Sequence, residues 1–277
     1  MQVSVLTVLK ELKDPHSRFK PYVDSWPKPG EVVHTCNFDP KYAPMFKSPH
    51  WEQQVRDWET HLQRLLSGDM DDSVEYTIRE MVGNATVTLD DLKYACGIAF
   101  TRAVMSATRN RMLLVPVFDM ANHKLECRHY LSEYQDGLMY FLAGEDIAEG
   151  QEICYGYGAM RDDYAVAHYG FLPELEDPPR LALVDHRGFN AESPYSHDEA
   201  PSEEAFTGTA EEMDAELKRL VAIYEGLMRT PNPLPTKPPG EDYMYDTMKG
   251  LESRRINALQ YEMQRLAGLL QVNLDLS

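Results

Sequence analysis

Val115-Pro116-Val117-Phe118-Asp119-Met120-Ala121-Asn122-His123 is the stretch on which the reading of this chain turns. It is a β-like apolar run that ends in polar side chains able to hold a ligand. Further along, a second β-like run ends in Cys154-Tyr155-Gly156-Tyr157-Gly158, and His168-Tyr169-Gly170-Phe171 follows shortly after. Glycines let backbone approach a ligand closely. Asn offers both a donor and an acceptor, and aromatic faces attract cations, sulfonium-like ones included. Spacing alone leaves two readings open: a small-ligand site gathered at strand ends, or a structural Asn-His turn.

Outward from this block, the helices are marked by period and caps. Val5, Leu6, Val8, Leu9 and Leu12 form a helical stripe stopped by Asp14-Pro15. Residues 20–50 are rich in Pro and aromatics and read as irregular. Trp51, Val55, Trp58, Leu62 and Leu65 recur at three- and four-residue spacing, a strongly amphipathic helix closed by Gly68. A shorter helix is expected over 73–82. Thr88 with Asp91 resembles a capping box and opens a small-residue helix running to about Met105.

The character changes at Met112. Residues 112–118, 138–143 and 151–155 read as strands, with Pro116 confining the first to an edge or bulge. A short helix is expected over 161–168, ended by Gly170, and a last short strand over 181–184. Residues 190–207 are rich in Ser, Pro and acids and read as a linker. Thr209 with Glu212 caps a helix through Met228, residues 231–240 form a Pro-rich connector, and a final helix spans 243–270. The expected organisation is a helical region over 1–110, a β-rich core over 111–190, an acidic linker over 191–208 and a helical region over 209–277.

Bulk properties exclude several functions. The net charge of −18 repels phosphate backbones, so nucleic acid is not an expected partner; it either serves solubility alone, the more ordinary reading, or favours a basic segment such as a Lys-rich protein. No apolar run approaches the length of a membrane span, so no membrane association is expected. Cys36, Cys96, Cys127 and Cys154 are scattered without a C-x-x-C, which predicts neither a structural zinc site nor a disulfide framework and fits a reducing compartment. Asp119, His123, Cys127 and His129 have ligand-like spacing, but Arg128 sits among them and the segment is neither a clear helix nor a zinc ribbon. No G-x-S-x-G elbow marks a serine hydrolase. Nothing local lowers the pKa of a cysteine nucleophile. Gly156-Tyr157-Gly158 is not a dinucleotide fingerprint.

The three blocks, 115–123, Ala143 to Gly158 and 168–171, closely resemble SET-domain protein methyltransferases, in the branch typified by the Rubisco large-subunit lysine methyltransferase and the actin-histidine methyltransferase. The resemblance extends to Phe19-Lys20-Pro21-Tyr22, to the helix from Tyr94 to Met105 with Thr101-Arg102, and to Ser253 through Met263. It implies an α+β fold: part of a β-clip-like SET core with a helical insert and a C-terminal helical domain that binds substrate. It implies an S-adenosylmethionine-dependent transfer of a methyl group to a protein side chain, most naturally lysine, with no metal required.

Carried over by position, the resemblance makes Tyr157 catalytic. It sets Arg102, Asp119, Met120, Asn122, His123 and Phe171 against the cofactor, and Tyr169 with Tyr130 (or Tyr134) along the substrate channel. Two departures stand out. The G-x-G strands with which this branch begins, and which bind cofactor, are expected to be missing, so that a catalytically inactive SET-like scaffold for protein binding is the alternative. Asp162-Asp163 also stands where the branch often has Asn.

Overall fold

A computed structural model describes residues 2–69, 77–106, 111–133, 138–158, 160–175, 178–179, 206–231, 234, 236–237 and 243–274. The strand expected at 181–184 and the linker at 190–207, apart from its last two residues, fall outside them, as does most of the Pro-rich connector. The chain divides into two compact units. One comprises residues 1–38 and 53–158, the other residues 39–52 and 159–277.

In the first unit, α1 (Gln2–Lys13), α4 (Ile78–Val82) and α5 (Leu89–Arg102) pack together. Leu6, Leu9, Leu62, Leu92, Ala95 and Ile98 meet in its core. These are the apolar positions of the sequence stripes, and burying them drives the assembly. The intervening α2 (Lys20–Val23) is a single turn, and α3 (Pro49–Ser67) is closed as expected by Gly68 at φ +75°. The capping box of Thr88 and Asp91 is present, each side chain bonding the other's backbone N–H. The helix it opens stops at Arg102, short of Met105, because Ala103 turns extended and Val104–Met105 becomes strand β1.

The strands are shorter than the apolar runs suggested. β1 pairs antiparallel with β2 (Met112–Leu113). The run does not continue to Phe118: Pro116 lacks an N–H, and Val117 adopts φ +73°, a conformation costly for a β-branched residue. A 3-10 turn follows at Phe118–Met120. β3 (Asn122–His123) lies parallel to β6 (Cys154–Tyr155), Asn122 opposite Cys154 and His123 opposite Tyr155. β4 (Tyr130–Glu133) and β5 (Met139–Leu142) form an antiparallel ladder from Tyr130–Leu142 to Glu133–Met139. Phe118 holds this region together, with edge-on contacts to Phe141 and Tyr155 at 4.8 and 4.7 Å.

The cysteines correct the sequence reading. All four are paired, Cys36 with Cys96 and Cys127 with Cys154. The partners lie 60 and 27 residues apart. Tertiary packing brings them together, and no local spacing pattern encodes that.

In the second unit, α6 (Asp162–Tyr169) ends at Gly170 with φ +74°. α7 (Ala210–Arg229) and α8 (Tyr243–Leu270) pack through Leu217, Leu220, Leu259, Met263 and Leu266. The α7 capping box of Thr209 and Glu212 is formed. The buried guanidinium of Arg255 donates to the carbonyl of Phe46. Lys47 pairs with Glu252 at 2.7 Å.

Candidate active site

Tyr157 is held at two points by the strand that carries Asn122 and His123. Its backbone N–H donates to His123 Nδ1 at 3.1 Å, and its hydroxyl donates to the carbonyl of Ala121 at 2.8 Å. A nitrogen that accepts from an amide carries no proton, so His123 bears its proton on Nε2 when neutral. The two rings lie 5.3 Å apart. The short parallel pair β3–β6 makes this possible: it sets residues 121–123 alongside 154–157, and Lys124 N–H to Tyr155 carbonyl at 3.3 Å extends it. Burial raises the Tyr157 pKa, the largest cause, with Asp119 and Tyr155 pushing the same way and Arg102 opposing. The phenol is therefore neutral at physiological pH.

Asp119 is the electrostatic centre of the neighbouring residues. Its side chain is fully shielded, and Oδ2 receives Arg102 Nη1 at 2.8 Å and the Tyr22 hydroxyl at 2.8 Å. Arg102 Nη1 also donates to the Asp119 carbonyl at 3.2 Å. Its other carboxylate oxygen, Oδ1, is buried without a hydrogen-bond partner. Burial drives the Tyr22 phenol well above its ordinary pKa, and the bond to Asp119 adds to that.

Arg102, Asp119, Asn122, His123 and Tyr157 thus come together in the first unit. Asn122 is exposed, and its amide donates to Glu152 at 2.6 Å. Met120 is 47% exposed and Tyr130, on the first position of β4, is 52% exposed. Tyr169 and Phe171 belong to the second unit, half-buried at and just beyond the end of α6, with ring centroids 6.1 Å apart. Tyr134 lies outside the described residues. Asp162 and Asp163 prove to be buried packing residues of the second unit: Asp163 holds the Trp51 indole at 2.9 Å, and Asp162 holds Arg254 at 3.1 Å.

Sequence reasoning missed Tyr22 and Glu152. Tyr22 reaches Asp119 across 97 residues of chain, and no local pattern predicts that. Glu152 had a signal, the parallel pairing that sets 151–155 beside 121–123, but only once the strands are aligned. The ligand-like set of Asp119, His123, Cys127 and His129 does not gather into one cluster among the described residues. His129 and Cys127 instead meet Cys154.

Solved structures share this architecture. The Rubisco LSMT structure bound to AdoMet superposes with TM-score 0.61 at 14% identity, over 96% of this chain and 74% of that one. The fold is that of the SET methyltransferases. A further SET-fold neighbour, Rubisco LSMT bound to sinefungin and monomethyllysine, gives TM-score 0.55 at 16% identity, over 98% and 76% of the two chains. The SET domain of LSMT bound to lysine and AdoHcy gives 0.57 at 14%, over 95% and 74%. No protein-family model and no curated protein matches the sequence. The likeness therefore rests on the SET fold, and among the described residues no helix is long and apolar enough to cross a membrane.

Proposed function

We propose that the chain is an S-adenosylmethionine-dependent protein methyltransferase acting on a lysine side chain, with its reacting centre at Tyr157. The observation that carries this reading is the double tether of Tyr157 to residues 121 and 123, either side of Asn122, in a SET fold. The residues present fit the cofactor. The Tyr155 and Tyr157 rings, 6.0 Å apart, suit a sulfonium. Asn122, His123, Asp119 and Met120 would hold it, with Arg102 acting through Asp119.

When bound, the cofactor supplies an electrophilic methyl group on a sulfonium. The rest of the chemistry falls to the chain. The Tyr157 hydroxyl spends its proton on the Ala121 carbonyl, so its oxygen lone pairs are left to accept weak C–H···O contacts and orient what enters. Alignment is the main lever in such a displacement. A lysine ammonium, with an ordinary pKa of about 10.4, must shed its proton to react, and entry among apolar aromatic side chains favours the neutral amine. The acidic surface draws a basic substrate segment. No metal takes part.

The experiment is a calorimetric titration with S-adenosylmethionine, followed by methyl transfer to lysine-rich protein segments by the wild type and by Tyr157→Phe. Binding is expected in both, with transfer at least about tenfold slower in the variant. Absence of binding to the wild type would sink the enzyme and favour the scaffold. Unchanged turnover in Tyr157→Phe would remove the role assigned to its hydroxyl.

A further inference from the structure

The Cys127–Cys154 pair carries a chemistry that methyl transfer does not use. Ligand atoms of Cys127, Cys154 and His129 all lie within 4.8 Å of one another. His129 is 3% exposed, with Nδ1 accepting the Gly144 N–H at 3.2 Å and Nε2 buried without a hydrogen-bond partner. An orphaned imidazole nitrogen is costly in a dry interior. The ring that carries it sits in a group with two sulfurs.

We propose that, once its disulfide is reduced, this cluster is a zinc site formed by Cys127, His129 and Cys154. A dithiol reductant breaks the S–S bond: two electrons and two protons pass to the cysteine sulfurs, and the reductant's own sulfurs join. Zinc then binds both thiolates and His129 Nε2, and the two thiol protons are released. The charge balances, since two thiolates and one divalent cation leave a buried cluster neutral. The donor set of two sulfurs and one nitrogen selects a soft or borderline metal over magnesium or calcium.

Distances allow it. Tetrahedral zinc with sulfur at ~2.3 Å and nitrogen at ~2.0 Å places its ligands roughly 3.5 Å apart. The His129 ring, one of whose nitrogens already lies within 4.8 Å of the sulfurs, must therefore turn and close in, and the sulfurs must separate. Cys127 can move, being half-buried in the turn after β3, whereas Cys154 is fixed in β6. The His129 proton must shift to Nδ1, which gives up one neutral bond to Gly144. A set of thiolate–metal bonds outweighs that loss. Three protein ligands leave one position open, so an exchangeable rather than locked metal is expected.

Because Cys154 is the register partner of Asn122, the cluster adjoins the candidate active site without sharing a residue with it. The proposal stands whether or not the chain is a methyltransferase.

The test uses the whole chain, reduced with a phosphine, freed of reductant under anaerobic conditions and titrated with Co²⁺ as a spectroscopic probe for zinc. One equivalent should bind with a thiolate-to-cobalt charge-transfer band, be displaced by Zn²⁺ and release protons, while the oxidised protein shows no band. Cys127→Ser should lose the band, and Cys36→Ser should keep it. A reduced wild type without the band, or a band that survives Cys127→Ser, overturns the site. If either variant fails to fold, alkylation of the reduced wild type decides. Zinc must slow alkylation of the half-buried Cys127 relative to the zinc-free reduced protein, and an unchanged rate refutes the proposal.

Discussion

Asp119 in the first unit and Asp163 in the second are both shielded carboxylates that receive one arginine and one aromatic donor. Asp119 takes Arg102 and the Tyr22 hydroxyl on the same oxygen and leaves the other without a donor. Asp163 uses both: Oδ2 accepts the Trp51 indole, and Oδ1 accepts Arg161 Nε at 3.3 Å and the Tyr164 N–H at 2.9 Å. A saturated buried acid is a packing element, fixed by everything around it. An acid with an unpaired buried oxygen instead carries an uncompensated desolvation cost. The same residue type in similar company is thus paired to different extents, and counting the partners of each oxygen separates the two.

The hardest blow to the comparison comes from putting Asn at both positions. In Asp163→Asn one acceptor becomes a donor facing donors, with Arg161 nearby and buried. A loss of about 3–5 kcal/mol is expected in urea unfolding. Asp162, beside it, sharpens the picture through pH. Burial, the largest influence, raises its pKa from 3.8 to about 6 despite Arg254. The folded state therefore binds more protons than the unfolded chain between those values, and stability falls as pH rises through that window. Unfolding curves of the wild type and Asp162→Asn at a series of pH values should show the wild type losing ground, on the order of 2 kcal/mol, from pH ~4 to ~6. The reverse trend would mean that the Arg254 pair outweighs burial.

Asp119→Asn can turn its amide toward the spare side and keep one acceptor for Arg102 and Tyr22. It should cost only about 1–2 kcal/mol of stability, yet weaken S-adenosylmethionine binding in calorimetry. A cost equal to that of Asp163→Asn with unchanged binding would erase the distinction. The smallest effect is expected at Val117, which is 76% exposed at φ +73°. Val117→Gly relieves strain of ~1–3 kcal/mol and gives back part of it as chain entropy. A net gain of about 1 kcal/mol in the unfolding midpoint analysis is the expected outcome, and a loss would show that Val117 is not strained.

The helices were legible from the sequence because their signals are local. The stripe from Val5 to Leu12, the capping boxes at Thr88 and Thr209, the glycine stops at Gly68 and Gly170 and the span of α8 all lie where period and caps put them. The strands were located only as apolar runs. Two-residue pairings such as β3–β6 are set by partners some thirty positions away, and the ladder of β4 was not foreseen. The same limit governs the site. Asn122, His123 and Tyr157 were named from motif resemblance, but the Tyr22–Asp119 bond, the Glu152 contact and both disulfides depend on long-range packing. The Asp162-Asp163 pair reads from the sequence as a departure from the branch's Asn, and its partners, the Trp51 indole and Arg254, are likewise set by long-range packing.

The double tether of Tyr157 has an evolutionary consequence. Its amide and its hydroxyl report on residues 123 and 121, so the backbone around Asn122 and the phenol move as one piece. A substitution that shifts the strand to suit a different ligand drags the phenol with it. Drift in this protein is therefore expected to leave residues 121–123 and 157 changing together or not at all, and to spend its freedom elsewhere on the surface.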